Sequence, residues 1–317
     1  MAALADIDTS VIDFFDELHL DSLAHRIAYI NSKYGRGRME TADDYRRQEP
    51  EESIYGFREY WEDIERNLQG VEVDTLPVLE LMDLQHEIGG LFRIFLVDFL
   101  VRIHDGLRLL PETLPLAVNI LDRYCSKRQV PRHHYRLAGC VSLLIAAKFC
   151  ENPTDVPSVD ALSHICCFDY GVRLFPQMER YILEALGWSV HHPTVYAFIQ
   201  TGAAKAERDE LGRVEEHDQV VATVRLKHAE VKHMAEYLSD ILLYRRVFSA
   251  QTPSDLAGFL FAVSLTILRH PEAYLDDITV LRFLGQIGRP SSTLRAKYSQ
   301  PCLSGVSQIL ADFGLDK

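Results

Sequence analysis

From Leu137 to Ala147 the chain reads Leu-Ala-Gly-Cys-Val-Ser-Leu-Leu-Ile-Ala-Ala, and Ser142 is the one hydroxyl in the run. A helix built from these residues is apolar nearly all round. It has no face to give to water, so it must lie inside other helices or inside a bilayer. A bilayer crossing takes about 20 apolar residues, and this run is far shorter, bounded by Arg136 and Lys148. A protein core is therefore the expected surrounding, and Gly139, Ala138, Ala146 and Ala147 let neighbouring helices approach closely.

The neighbours are readable from periodicity and from helix breakers. Helices are expected at about 89–106, 111–127, 132–150, 158–167 and 173–187, with Pro111 and Pro131 at starts and Pro153 and Pro157 separating the third from the fourth. After Pro193 the pattern repeats less clearly. It gives a helix to about Glu210, then Val220–Tyr244, Ser254–Arg269 and Leu275–Gly285, and a last stretch ending near Leu310, with Thr252 before Pro253 capping the third of these. Toward the N-terminus, Phe57, Trp61, Ile64 and Leu68 form one helical stripe. Two short amphipathic helices are expected further up, one with Val11, Phe14, Phe15 and Leu18 on its apolar face and one with Leu23, Ile27 and Ile30. The charged, Gly-punctuated segment around Gly35 and Gly37, running to Glu52, reads as a linker.

Composition narrows the function classes. The formal net charge of −13 argues against affinity gained by neutralising nucleic-acid phosphates. A cationic partner surface is more plausible. No basic-plus-apolar leader opens the sequence, so a soluble, intracellular chain is expected. Cys125, Cys140, Cys150, Cys166, Cys167 and Cys302 form no C-x-x-C pair and are expected as reduced thiols. Neither His133-His134, His191-His192, nor His228 with His233 completes a metal site, and no catalytic constellation is present.

The motifs add an identity to this outline. Phe92-Arg93-Ile94-Phe95-Leu96-Val97-Asp98-Phe99, Leu116 to Tyr124, Ala146-Ala147-Lys148-Phe149, Gln177-Met178-Glu179 and Trp188 to Thr194 follow one another in register. Together they resemble the cyclin box, and the fungal G1 cyclins in particular. The resemblance implies an all-α cyclin fold with two five-helix cyclin-box domains and an N-terminal helical extension. Its expected layout is an acidic extension over 1–52, a lead-in helix and linker over 53–88, a first box over 89–192 and a divergent second box over 193–317. It also implies a regulatory subunit rather than an enzyme, with no cofactor, no nucleic acid and no membrane, working in nucleus and cytoplasm. The partners implied are a cyclin-dependent kinase catalytic subunit and, through docking motifs, the kinase's substrates and inhibitors.

Carried over by the same resemblance, Lys148 and Glu179 grip the kinase at one edge of an apolar patch of Phe149, Phe175, Ile182 and Leu183, with Glu151 keeping half of an acidic pair. Arg93 and Asp122 form a structural ion pair. Phe92, Leu96 and Phe99 floor a substrate-docking groove whose rim carries Arg102 and Arg136, a positive edge that would reject basic motifs and favour acidic Leu/Pro-rich ones. Two alternatives stay open: a nutrient-responsive or transcription-associated cyclin, and a TFIIB-like two-box transcription adaptor. The second normally carries a zinc ribbon, which needs C-x-x-C pairs that this chain lacks.

Overall fold

The computed structural model describes residues 20–34, 61–211 and 218–315. The expected helix over Val11–Leu18, the linker to Glu52 and the Phe57 end of the lead-in stripe lie outside them. All regular structure among the described residues is helical. The helices are α1 (Leu20–Tyr34), α2 (Trp61–Glu72), α3 (Leu79–Met82), α4 (Gly90–Gly106), α5 (Thr113–Lys127), α6 (Arg132–Cys150), α7 (Val159–Ile165), α8 (Leu174–Ala185), α9 (Val195–Leu211), α10 (Asp218–Leu242), α11 (Pro253–Ile267), α12 (Asp277–Ile287), α13 (Ser292–Tyr298) and α14 (Val306–Leu310). The chain divides into two compact units, one holding described residues 20–34 and 77–191 and the other 61–76 together with the described residues from 192 onward.

In the first unit α6 is the axis. Every residue from Tyr135 to Ala147 is buried, with α4, α5 and α8 packed against it. Gly139 is what lets α4 come so near: a Cβ there would stand 3.0 Å from Leu96 Cδ1, inside normal contact. A second helix shares the interior. On α5 everything from Thr113 to Ser126 is buried, although the sequence carries Asn119, Asp122 and Arg123. Asp122 tolerates burial because Arg93 of α4 pairs with it through both nitrogens of its fork, Nη2 to Oδ2 at 2.9 Å and Nη1 to Oδ1. Burial works against the Arg93 charge, and the facing Asp122 carboxylate more than offsets it, so the guanidinium is held above its ordinary pKa.

Two peripheral elements are tied to this core by specific contacts. Leu23, Ile27 and Ile30 of α1 are buried, and Ile27 fills the space a Cβ at Gly106 would need, while Asn31 Nδ2 donates to the Gly106 carbonyl at 2.9 Å. Gln85, just after α3, clamps the α5–α6 turn: its Nε2 donates to the carbonyls of Cys125 and Arg128, each at 2.7 Å, and its Oε1 accepts from Val130 N at 3.0 Å.

The second unit is organised on α10, whose Met234, Ala235, Tyr237, Leu238 and Ile241 are buried against α9 and α11. Two of its acidic residues, Glu236 and Asp240, are buried and partnered. Glu236 accepts from Gln200 Nε2 at 2.6 Å, and Asp240 accepts from Tyr298 Oη at 2.9 Å and Lys297 Nζ at 3.1 Å. The lead-in helix α2 groups with this unit. Its terminal Glu72 accepts from Ser254 N at 2.9 Å and Ser254 Oγ at 2.5 Å, satisfying a donor in the first turn of α11 that the helix cannot satisfy itself. Thr252 precedes Pro253 at that helix start, its hydroxyl bonded to Asp255 rather than to a backbone N–H. The last stretch read from sequence is divided. It forms α13, which Ser291 opens by accepting from Leu294 N, and α14, with left-handed Ser304 (φ 58°) and Gly305 (φ 56°) between them.

The Arg93–Asp122 pair makes a prediction about the first unit. Asp122→Ala leaves a buried guanidinium uncompensated and should cost about 3–5 kcal/mol, whereas Arg93→Met with Asp122→Leu should recover most of that loss. Urea unfolding of the three proteins checks this, and a neutral Asp122→Ala would show that the pair does not brace α4 against α5.

Candidate functional site

The buried shaft of α6 ends at Ala147, and the next two side chains, Lys148 and Phe149, emerge into solvent. The helix stops there because Glu151 adopts an extended backbone (φ −89°, ψ 159°) ahead of Asn152-Pro153. Lys148 Nζ donates to Glu179 Oε1 of α8 at 2.5 Å, with the lysine side chain 47% and the glutamate 20% exposed. One turn further along α8, Leu183 is half-buried.

Beyond Leu183, α8 closes in a tight C-terminal turn. Trp188 N donates to the Leu183 carbonyl at 2.8 Å and Gly187 N to that of Glu184 at 3.2 Å, with Gly187 at φ 62°. Trp188 is also left-handed (φ 62°), a conformation that costs a non-glycine residue roughly 1–2 kcal/mol. The turn is pinned from beneath by Arg123 of α5, whose Nη2 donates to the Ser189 carbonyl at 2.9 Å. Burial lowers the pKa of the Arg123 guanidinium. Trp188 stands 67% exposed, Phe149 54% and Tyr181 56%, and the Phe149 ring lies 5.9 Å from that of His191. Sequence reasoning used Trp188 only as a motif marker. The available signal was an aromatic directly after a glycine at a helix end, a place where a large side chain has little to pack on.

The remaining residues of the expected kinase patch are placed differently. Phe175 and Ile182 are fully buried and form part of the core behind α8, so no partner can touch them without unfolding the box. Their period matches the inward face of α8, and the apolar patch narrows to Phe149 and Leu183, joined by Trp188. Glu151 does not present its carboxylate outward. Its Oε1 accepts from Leu110 N and from Thr113 Oγ1, each at 2.7 Å, which fastens the end of α6 to the start of α5.

The expected docking groove is also revised. Phe92, Leu96 and Phe99 are buried, Leu96 and Phe99 completely, because this face of α4 lies in the core. The positive rim is not formed. Arg102 Nε donates to Asp98 Oδ2 at 2.8 Å one turn back on α4, which neutralises it locally. Arg136 is buried, paired with Asp169 and set 5.2 Å from the centre of the Tyr170 ring. Burial opposes its charge, but Tyr170, Cys166 and Asp169 raise its pKa above the ordinary value. The electrostatic ground for preferring acidic motifs at this groove therefore disappears.

Comparison with known proteins agrees with this geometry. Residues 63–191 match the family described as cyclin, N-terminal domain. The chain is 35% identical over 222 residues to the G1/S-specific cyclin CCN1 of Candida albicans, which covers 68% of this chain and 32% of that protein. It is 33% identical over 226 residues to the Candida albicans G1/S-specific cyclin CLN3, covering 71% of this chain and 47% of that one. The chain thus spans between about a third and a half of the length of these relatives. Among solved structures it resembles a viral cyclin from herpesvirus saimiri, with a TM-score of 0.52 at 17% identity over 80% of this chain and 97% of the viral one. That likeness shows the fold.

Glu151 supplies the prediction for this region. Glu151→Ala strands the Leu110 N–H and the Thr113 hydroxyl and should cost about 1–3 kcal/mol in chemical unfolding. Glu151→Gln keeps an accepting oxygen and should restore most of the stability. A glutamine variant as unstable as the alanine one would contradict the bracing role.

Proposed function

With the chain belonging to the cyclin family, we propose that it is a G1-type cyclin, the regulatory subunit that binds and activates a cyclin-dependent kinase through the exposed tip of α6 and the adjoining face of α8. One observation carries this reading. Lys148 and Phe149 at the end of α6, Glu179 midway along α8 and Trp188 just beyond it all reach solvent, and none of them is needed by the core behind them.

Energetics support a binding role for the pair. A solvent-exposed Lys–Glu bridge adds only about 0–1 kcal/mol to stability, so its contribution to the fold is minor. At an interface the same two groups offer a donor and an acceptor, and Lys148 Nζ has further N–H groups for a partner beyond the one given to Glu179. Covering Phe149 and Trp188 removes on the order of 200 Å² of apolar surface from water, roughly 5 kcal/mol before the entropy of association is subtracted.

The chain contributes no reacting group in this mechanism. A protein kinase is competent when the glutamate of its C helix pairs with the strand lysine that holds the nucleotide phosphates. A rigid surface that binds the C helix in its inward position favours that state by its differential affinity alone. The buried shaft of α6 suits this task, since packing fixes the backbone from which its tip side chains project. Substrate choice through docking motifs belongs to the same proposal, on surfaces other than the rim first expected at Arg102 and Arg136.

Truncating desolvated charged contacts at an interface costs about 2–5 kcal/mol. Lys148→Ala with Glu179→Ala should accordingly weaken kinase binding on the order of a hundredfold or more, measured by co-purification and calorimetry, with the melting temperature nearly unchanged. Wild-type binding and activation by the double variant would exclude this face.

A further inference from the structure

Cys140, in the middle of α6, and Cys166, the residue that closes α7, face one another with their sulfurs 3.4 Å apart. Both are fully buried and both are reduced. They come from different helices and lie 26 residues apart in sequence. A disulfide bond is about 2.05 Å long, so the sulfurs need to approach by only about 1.4 Å to bond. Cys167 follows directly in a left-handed conformation (φ 59°) and Phe168 in another (φ 60°), so the closing turn of α7 is held in a strained shape rather than relaxed into a longer helix.

The surroundings of the pair are cationic. Arg136 sits one helical turn before Cys140, and Arg26 of α1 donates to the Ile165 carbonyl and to Cys167 Sγ, the latter at 2.8 Å. The two thiols share a hydrogen bond, and that bond, assisted by the two guanidinium groups and opposed by burial and Asp169, draws the Cys166 thiol below its ordinary pKa and raises that of Cys140. A nucleophilic sulfur therefore lies in contact with a second sulfur able to resolve it.

We propose that Cys140 and Cys166 form an oxidative modification site, a dithiol that a small hydroperoxide converts to a disulfide joining α6 to α7. Cys166 sulfur attacks one peroxide oxygen, the O–O bond breaks, the departing hydroxide takes the proton given up by the Cys166 thiol to become water, and Cys166 is left as a sulfenic acid. Cys140 sulfur then attacks Cys166 sulfur. The S–S bond forms, the S–O bond breaks, and the oxygen leaves as a second water with the proton from Cys140. Two thiols and one hydrogen peroxide give one disulfide and two waters, and the two electrons pass from sulfur to oxygen. Burial sets the class of oxidant. Hydrogen peroxide is small and uncharged and can reach an interior sulfur, whereas glutathione disulfide cannot. The bond would tie α7, which carries the Arg136 partner Asp169 just beyond its end, to the axis of the first unit, and a dithiol reductant would release it.

The test uses the full chain, reduced and then exposed to hydrogen peroxide, with remaining thiols blocked by N-ethylmaleimide during denaturation and peptides mapped by mass spectrometry without reduction. A Cys140–Cys166 linked peptide is expected, together with a melting temperature higher by about 5–10 °C that dithiothreitol reverses. Cys140→Ala and Cys166→Ala should each lose both the link and the shift. If one of these variants does not fold, the other and the wild-type map still decide the matter. Maleimide on both sulfurs after peroxide would overturn the proposal, as would a link through Cys167, a linked protein with an unchanged melting temperature, or glutathione disulfide acting as fast as peroxide.

Discussion

The complete burial of α6 is the constraint on which the first unit depends. A helix with no polar face has to be enclosed, and enclosure fixes where its neighbours lie. α4 approaches through the notch at Gly139, α5 and α8 take the remaining sides, and the chain between them is held by Gln85 and Glu151. One consequence is functional. The shaft is packed on all sides, so the backbone from which Lys148 and Phe149 project is set by the core. A binding site built on rigid elements is better defined than one on a loop.

Burial of this extent also forces charged groups inside, and several of them are paired across helix contacts. Arg93 with Asp122, Arg136 with Asp169, and Asp240 with Tyr298 and Lys297 join different helices or a helix and a turn. Unpaired, each of these charges would be strongly destabilising, and paired they specify which helices meet. Tyr298 shows the electrostatic cost on the other side of such a pairing: burial first, then the nearby Asp240 and Glu236, push its hydroxyl well above the ordinary pKa, so it remains a neutral donor.

Much of this was legible in the amino-acid order. The third box helix was read as 132–150 and is Arg132–Cys150, the fourth and fifth were placed within about two residues of their ends, and the stripe of Leu23, Ile27 and Ile30 is the buried face of α1. These features depend on local periodicity and on proline. What escaped depends on residues distant in sequence. Arg136 read as a rim cation because its partner Asp169 lies 33 residues away in a turn. Glu151 read as a partner contact because its ligands, Leu110 and Thr113, belong to a different helix start. Phe175 and Ile182 were assigned to a surface patch because their motif neighbour Glu179 is on the surface, although the period of α8 turns them inward. The split of the last stretch into α13 and α14 rests on left-handed Ser304 and Gly305 between them, a turn that local periodicity does not mark.

Hydrogen exchange of the chain alone and in complex with a cyclin-dependent kinase tests the binding face most directly. Slowed exchange is predicted at 147–151 and 179–191, the ends of α6 and α8, with no change along α12, whose Ile278 and Leu281 are equally exposed. Protection confined to α12, with the ends of α6 and α8 exchanging as in the free chain, would contradict it.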